Sequence, residues 1–275
     1  VNRRKTPDIR VVAVTGGARG IGAEIATAFR ATGAEVAIGD TDRQAAEQTA
    51  RESDVHAYSL DVTDPASIED FLGQVRGDLG PIDVFVSNAG LMWVGPFAEE
   101  PHSAARAQVE VNLLGVINGI KAVAPAMVAR GRGHLITVAS AASILPTPGE
   151  ASYAATKHGV LGYLKAVRAE LRGRGVQITA IMPGVVDTAL GAGTSSGAAK
   201  LLSPAEVAAA VVKSAFRPRF EVTLPGFIGP AVRVAGLLPT GLRDRLFGAL
   251  VPDQVAQVRP EERRGYERSF TLPER

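Results

Sequence analysis

Short runs of consecutive apolar residues alternate along this chain with longer stretches in which apolar positions recur every three or four residues. The runs are Val11 to Val14, Val36 to Ile38, Val55 to Leu60, Ile82 to Val86, Leu135 to Val138, Val176 to Ile181 and a last one near Phe220 to Leu224. Strands that are apolar throughout, rather than at every second position, are buried on both faces, and a parallel sheet covered by helices provides that burial. Repeated β-α units joined by right-handed crossovers predict an α/β protein built on a doubly wound parallel sheet. Ligands in such folds sit beyond the carboxyl ends of the strands. Gly16, Asp40, Asp61, Asn88, Ser140 and Pro183 each follow an apolar run, so all of them fall at that edge.

Two of these positions carry chemistry. The run Val11-Val12-Ala13-Val14 leads into Thr15-Gly16-Gly17-Ala18-Arg19-Gly20-Ile21-Gly22, and Ile21, Ile25, Ala28 and Phe29 then follow at helical spacing. Strand, glycine turn and helix in that order make a phosphate cradle, because glycines permit close backbone approach and the N–H groups of a helix start favour a pyrophosphate. Without a ligand, the same residues would be only a tight turn. Further on, Ser140 precedes Tyr153 by thirteen positions, and Lys157 follows Tyr153 by four. On a helix that last spacing puts phenol and ammonium on one face. A phenol titrates near about 10, and a neighbouring cation lowers that value, so it can exchange a proton with an alcohol or ketone oxygen. Ser140 would hold the same oxygen, with Ser143 secondary. Tyr-x-x-x-Lys alone arises by chance on many helices; the glycine turn gives it weight.

In this order, Thr15-Gly16 with Gly20 and Gly22, Asp61-Val62, Asn88-Ala89-Gly90, Asn112, the Ser140, Tyr153 and Lys157 set, and Pro183-Gly184 followed by Thr188 make the chain resemble the short-chain dehydrogenase/reductase (SDR) family over about residues 10 to 225. Ser87 stands before Asn88 where the family often has a second Asn. The resemblance implies a Rossmann-like fold and an oxidoreductase that interconverts a secondary alcohol and a ketone with a nicotinamide cofactor, Tyr153 serving as acid and base. It implies that Asp61 and Val62 meet the adenine, that Asn88, Ala89 and Gly90 border the cofactor, and that Pro183, Gly184, Val186 and Thr188 fix the carboxamide. Arg19, Gly20, Ile21 and Gly22 would lie along the phosphates. Lys157 would bond the nicotinamide ribose, and Asn112 would hold a water that links Lys157 to solvent. Blander readings stand beside these. Asp64 before Pro65 suits a helix cap better than Asp61 does, and Asn112 inside an apolar helix could be a hydrogen-bonded core amide.

Asp40 closes the second strand, where a carboxylate can bind the adenosine ribose and repel a 2′-phosphate; this favours NAD over NADP. Arg19 points the other way if it reaches a 2′-phosphate, but it can equally turn outward or meet the pyrophosphate. An NADP-dependent carbonyl reductase, and an NAD-binding regulator or scaffold without turnover, are therefore the alternatives.

Composition narrows the remainder. A chain of 275 residues, 46% of them hydrophobic, suits one large α/β domain. It has no cysteine, and its four histidines are scattered, so no disulfide and no metal site is expected. A net charge of +2 gives no case for nucleic acid. Residues 1–9 read as a polar flexible tail without the apolar core of a signal peptide, with a cytoplasmic location as the default. Residues 103 to 130 and 153 to 172 correspond to helices that the family packs across a two-fold axis, which implies a homodimer or homotetramer; Val160, Leu161, Leu164 and Val167 could serve that interface or the sheet.

The catalytic unit is expected over 1–225, with 226–275 a helical C-terminal extension on the same domain. In the extension Leu242, Leu246, Phe247 and Leu250 share one helical face, with Arg243 and Arg245 elsewhere. It could close an apolar pocket, extend an oligomer interface, rest on a membrane surface or pack into the core. The small-residue loop Gly191 to Gly197 suggests a mobile lid. An apolar substrate, of steroid, retinoid or long-chain type, is the corresponding expectation.

Overall fold

Each predicted apolar run forms a strand in the computed structural model, which describes residues 8–197 and 199–270. The chain alternates β1 (Val11–Thr15), α1 (Gly20–Arg30), β2 (Glu35–Asp40), α2 (Arg43–Ser53), β3 (His56–Ser59), α3 (Pro65–Asp78) and β4 (Val84–Ser87). A long helix then runs as α4 (His102–Gln108), a π-helical stretch at Val109–Leu114 and α5 (Gly115–Ala129). The remaining units are β5 (Gly133–Val138), α6 (Ala151–Glu170), β6 (Val176–Pro183), α7 (Pro204–Phe216) and β7 (Glu221–Leu224). Four helices follow: α8 (Ile228–Ala235), α9 (Thr240–Leu250), α10 (Gln254–Gln257) and α11 (Pro260–Glu267). Most of the proposed tail at residues 1–9 lies outside the described residues.

All seven strands are parallel in the order β3-β2-β1-β4-β5-β6-β7. The order reverses between β1 and β4, and in doubly wound sheets that reversal opens a crevice for ligand. Strand pleating divides the core into two layers. Val11 and Ala13 join Phe71, Ile120, Val160, Leu161 and Leu164 on one face. Val12 and Val14 join Ile25, Phe29, Val207 and Val211 on the other. Val160, Leu161 and Leu164 are thus used by the sheet of this chain, while Val167 is partly buried at its margin. The helix His102–Ala129 is long and apolar enough to cross a bilayer, yet its Val116, Ile120, Val123 and Met127 are buried in the sheet's core.

In the extension, Leu242, Leu246 and Leu250 are exposed in α9, so of the uses open to this apolar face, packing into the core of the chain is not the one taken. α8 packs on β7, where the Gly229 N–H donates to the Thr223 hydroxyl, and α10 and α11, whose sequence is polar, reach the loops beside the glycine-rich edge of the sheet.

Candidate active site

The glycine turn is built by close backbone approach. The N–H groups of Gly16 and Gly17 both donate to the Gly39 carbonyl, at 2.8 and 3.3 Å. A Cβ on Gly22 would lie 2.0 Å from the Gly16 carbonyl oxygen, and one on Gly16, whose φ is +65°, would lie 2.7 Å from the Ala89 backbone. No larger residue fits at either position. α1 starts immediately after, with no side-chain cap and no acid in its first turn, so the N–H groups around Gly20 and Ile21 remain available to an anion. These features fit the phosphates of a dinucleotide.

Asp40 ends β2 beside this turn. Its two carboxylate oxygens accept from the Ala18 N–H at 3.1 Å and the Asp42 N–H at 3.0 Å, which fixes the carboxylate at the crevice and leaves lone pairs for ribose hydroxyls. The Arg19 guanidinium lies outward on Asp42, at 2.5 Å, both side chains being exposed. Asp61 accepts from the Thr63 backbone and hydroxyl, and Asp64, as its place before Pro65 suggests, caps α3 through the Ala66 N–H. Val62 is buried against Gly115, where a Cβ would come within 2.7 Å of the valine side chain.

Asn88 ties β4 to the glycine turn. Its side-chain amide donates to the Thr15 and Gly16 carbonyls at 3.1 and 2.9 Å, and the Thr15 hydroxyl accepts from the Asn88 and Ala89 N–H groups. Across the crevice β6 ends at Pro183, and the Gly184 N–H donates to Leu224. Val186 pairs with Leu202, and Thr188 comes back to face Gly20, a Cβ on which would be 3.4 Å from the threonine methyl. Residues distant in sequence therefore surround one crevice.

Ser140, Tyr153 and Lys157 converge beyond β5. Ser140 caps a short 3-10 turn through the Ala142 N–H and lies within hydrogen-bonding reach of the Tyr153 hydroxyl. Lys157 donates to the Val138 carbonyl at 3.2 Å, with its ammonium 5.5 Å from the centre of the Tyr153 ring. Ser143 is buried, and its hydroxyl has no hydrogen-bond partner among the described residues. Asn112 is fully buried: its oxygen accepts from the Leu91 N–H at 2.7 Å, and its amide donates to the Leu91 carbonyl at 2.8 Å and to the Thr156 hydroxyl at 3.2 Å. A Cβ on Gly90 would sit 3.3 Å from the Asn112 oxygen and 3.7 Å from the Lys157 ammonium, so Gly90 lets the two side chains approach. These contacts give Asn112 the partners that a buried amide requires.

The expected lowering of the Tyr153 phenol by Lys157 is not what this geometry produces. Burial raises the Tyr153 pKa well above its ordinary value, the Glu150 carboxylate adds to the rise, and the Ser140 hydrogen bond opposes it only in part. Burial also brings Lys157 down to about 8, which leaves its ammonium charged at neutral pH. The phenol therefore keeps its proton at neutral pH.

Glu150 was not apparent from the sequence. It precedes the first turn of α6, is 7% exposed, and faces Thr147, Tyr153 and Arg263. Burial raises its carboxyl to about 7; the Arg263 guanidinium and the Thr147 hydroxyl, which makes no hydrogen bond of full geometry, lower it less. Between the ordinary 4.5 and about 7 the folded carboxyl keeps a proton that the unfolded chain has released. Stability therefore declines as pH rises through this window, and the cost is fully present above it. Glu150→Gln should flatten that decline, measured as Tm at about pH 5 and about pH 8; an unchanged slope would remove Glu150 from the account.

Tyr153 is covered by an apolar cluster of Met92, Val94 and Ala142, with Ala154, Leu190 and Val258 against it. Val258 comes from the extension, as does Tyr266, whose hydroxyl accepts from the Met92 N–H at 3.2 Å. A polar helix gives no periodic signal in sequence; the pair Arg263 and Glu267, four residues apart, was the available hint.

Comparison with known proteins agrees with this geometry. The family model for short chain dehydrogenases matches residues 10–199, and the chain belongs to that family. It is 40% identical over 187 residues to 1-deoxy-11-beta-hydroxypentalenate dehydrogenase of Streptomyces exfoliatus, covering 65% of this chain and 68% of that protein. It is 39% identical over 184 residues to "Probable oxidoreductase EphD" of Mycobacterium tuberculosis, where the match covers 65% of this chain but only 31% of the relative, so this chain corresponds to about a third of that protein. Among solved structures, an alcohol dehydrogenase from the archaeon Thermococcus sibiricus, complexed with 5-hydroxy-NADP, superposes with a TM-score of 0.68 at 29% identity. That superposition covers 78% of this chain and 96% of the other. The family match ends before α7 to α11.

Proposed function

We propose that this protein interconverts an apolar secondary alcohol and its ketone using NAD. The observation that carries the reading is the convergence of Ser140, Tyr153 and Lys157 under the apolar cluster of Met92, Val94, Ala142, Leu190 and Val258. Such a lining excludes water and favours a substrate whose body is apolar around one polar carbon–oxygen group.

The nicotinamide, when bound, supplies or accepts the hydride. Ser140 holds the substrate oxygen, and Tyr153 gives it a proton during reduction or takes one during oxidation. Its raised pKa keeps the phenol protonated at neutral pH, the form that reduction requires. Lys157 places a cation beneath the phenol and stabilises the charge that develops when the proton leaves. By resemblance it also bonds the nicotinamide ribose. Asn112 holds Leu91, and with it the backbone beside Gly90, in place under Lys157; a water carried there would be the exit for the proton.

NAD is favoured by Asp40, whose fixed carboxylate would meet a 2′-phosphate directly, whereas Arg19 is engaged by Asp42. The NADP reading retains support from solved relatives described as NADP complexes. Asp40→Ala should raise the NADP/NAD ratio of kcat/KM by about tenfold or more, since removal of one close like charge is worth at least about 1.4 kcal/mol; an unmoved ratio would overturn the assignment. The reading as a whole is tested by nicotinamide absorbance with secondary alcohols and ketones of graded size, in the presence of NAD(H) and of NADP(H). Turnover of apolar substrates with NAD(H) is the expected result, and NAD binding without turnover across the panel would point to a regulator instead.

A further inference from the structure

α11 inserts a wholly buried arginine between the two loops that wall the candidate site. Arg263 is 1% exposed. One terminal nitrogen donates to the carbonyls of Leu190 at 2.9 Å and Ala192 at 2.7 Å, the other donates to the Met92 carbonyl at 2.7 Å, and Nε donates to Glu267 at 2.7 Å. Met92 belongs to the loop after β4, and Leu190 and Ala192 to the loop after β6. Neither of those loops hydrogen-bonds the other in a strand pair; the guanidinium joins them. A buried guanidinium is tolerable only when its donors are matched, and here three of its partners are main-chain carbonyls at the site's edge.

The rest of the extension reinforces the same seam. Tyr266 accepts from the Met92 N–H, Glu267 accepts from the Val94 N–H at 3.3 Å, and the Arg259 N–H donates to the Gly193 carbonyl at 2.9 Å. Gln254 exchanges two hydrogen bonds with the Ser195 backbone, at 2.7 and 2.8 Å. The loop expected to be a free lid is therefore tied to the extension at Ala192, Gly193 and Ser195. None of the four Arg263 hydrogen bonds reaches a strand, as would be expected of a residue that only fastens the helix to the sheet. Three of them serve the wall over Tyr153, where Met92 and Leu190 also contribute to the apolar cluster, and the fourth stays within α11 on Glu267.

We propose that Arg263 is a positioning residue that fixes the outer wall of the substrate site, and that Tyr266, held by that clamp against Met92, sets the largest substrate admitted. This rests on the oxidoreductase reading above. In its presence the site accepts an apolar ketone or alcohol of limited bulk. Arg263 and Tyr266 lie beyond the part of the chain that the family model matches, while Met92 and Leu190, which they hold, lie within it.

The experiment compares wild type, Tyr266→Ala, Arg263→Ala and Arg263→Lys on paired small and bulky ketones, with NADH affinity read separately by nicotinamide fluorescence. Trp93, the sole tryptophan, sits between Met92 and Val94, so its emission reports on the clamped loop. Tyr266→Ala should raise the bulky-to-small ratio of kcat/KM by about tenfold or more, the range that pocket size commands, with NADH affinity unchanged. Arg263→Ala should raise KM for the small ketone by about tenfold with a smaller effect on kcat and shift Trp93 emission to the red; Arg263→Lys, which keeps the charge but not the planar fork, should recover only part of this. A size ratio unmoved in Tyr266→Ala while the wild type turns over overturns this proposal alone. No turnover by the wild type on any substrate overturns the functional reading and this one with it. Should Arg263→Ala fail to fold, Tyr266→Ala, which leaves the four Arg263 hydrogen bonds in place, decides the matter.

Discussion

Replacing Tyr153 with Phe is expected to lower kcat by about 10²–10⁴-fold, the contribution of one positioned acid or base, while NADH affinity stays near that of the wild type. Phe keeps the ring that packs on Met92, Val94 and Ala142 and removes only the hydroxyl within reach of Ser140. Loss of chemistry without loss of binding is therefore the signature, and retained turnover beside normal NADH binding would refute the role given to Tyr153. The pH dependence follows from the same geometry. The phenol is neutral well above neutrality, and Lys157 holds its charge only up to about 8. Reduction of a ketone should thus fall off as pH rises through about 8, where the cation beneath the phenol is lost. Lys157→Met, with that cation gone at every pH, should be slow and lack this limb.

The parts of the site that were legible in the sequence are those in which backbone geometry dictates residue type. Gly16 and Gly22 must be glycine because a Cβ would strike Ala89 or the Gly16 carbonyl, and strands buried on two faces must be apolar throughout. Asp64 before Pro65 announced a cap for a local reason. What escaped is what depends on distant packing. The shift of Tyr153 was read with the wrong sign because the ammonium four residues away is visible in sequence, whereas the cover supplied by Met92, Leu190 and Val258 is not. Arg263 reads as a solvated charge until three carbonyls from two loops are placed around it. Leu242, Leu246 and Leu250 show the converse: their periodicity forms a helix, but nothing among the described residues buries it. Periodicity shows that a face exists, and the rest of the molecule determines whether it is covered.

Asn112 joins local and distant effects, and its replacement should be felt in both stability and rate. It lies in the π-helical stretch Val109–Leu114, where the departure from regular α-helical bonding between α4 and α5 presents its amide to Leu91. Asn112→Leu nearly preserves volume but leaves the Leu91 N–H and carbonyl without their partners. At about 1–3 kcal/mol for each buried group left unsatisfied, the loss should be about 2–6 kcal/mol in denaturant unfolding. Because Gly90 sits between the Asn112 oxygen and the Lys157 ammonium, movement of the Leu91 backbone also disturbs the cation beneath Tyr153. The surviving folded enzyme should therefore be slower, not merely scarcer. Asn112→Asp separates the two consequences: it keeps an acceptor for the Leu91 N–H, loses the donors to the Leu91 carbonyl and Thr156, and sets a carboxylate near Lys157. Its stability should fall between those of wild type and Asn112→Leu, and the high-pH limb of its rate profile should move upward as the carboxylate holds the ammonium charged. Unfolding of Asn112→Leu within about 0.5 kcal/mol of wild type, the scatter usual for an inconsequential substitution, would show that the amide does not hold this junction.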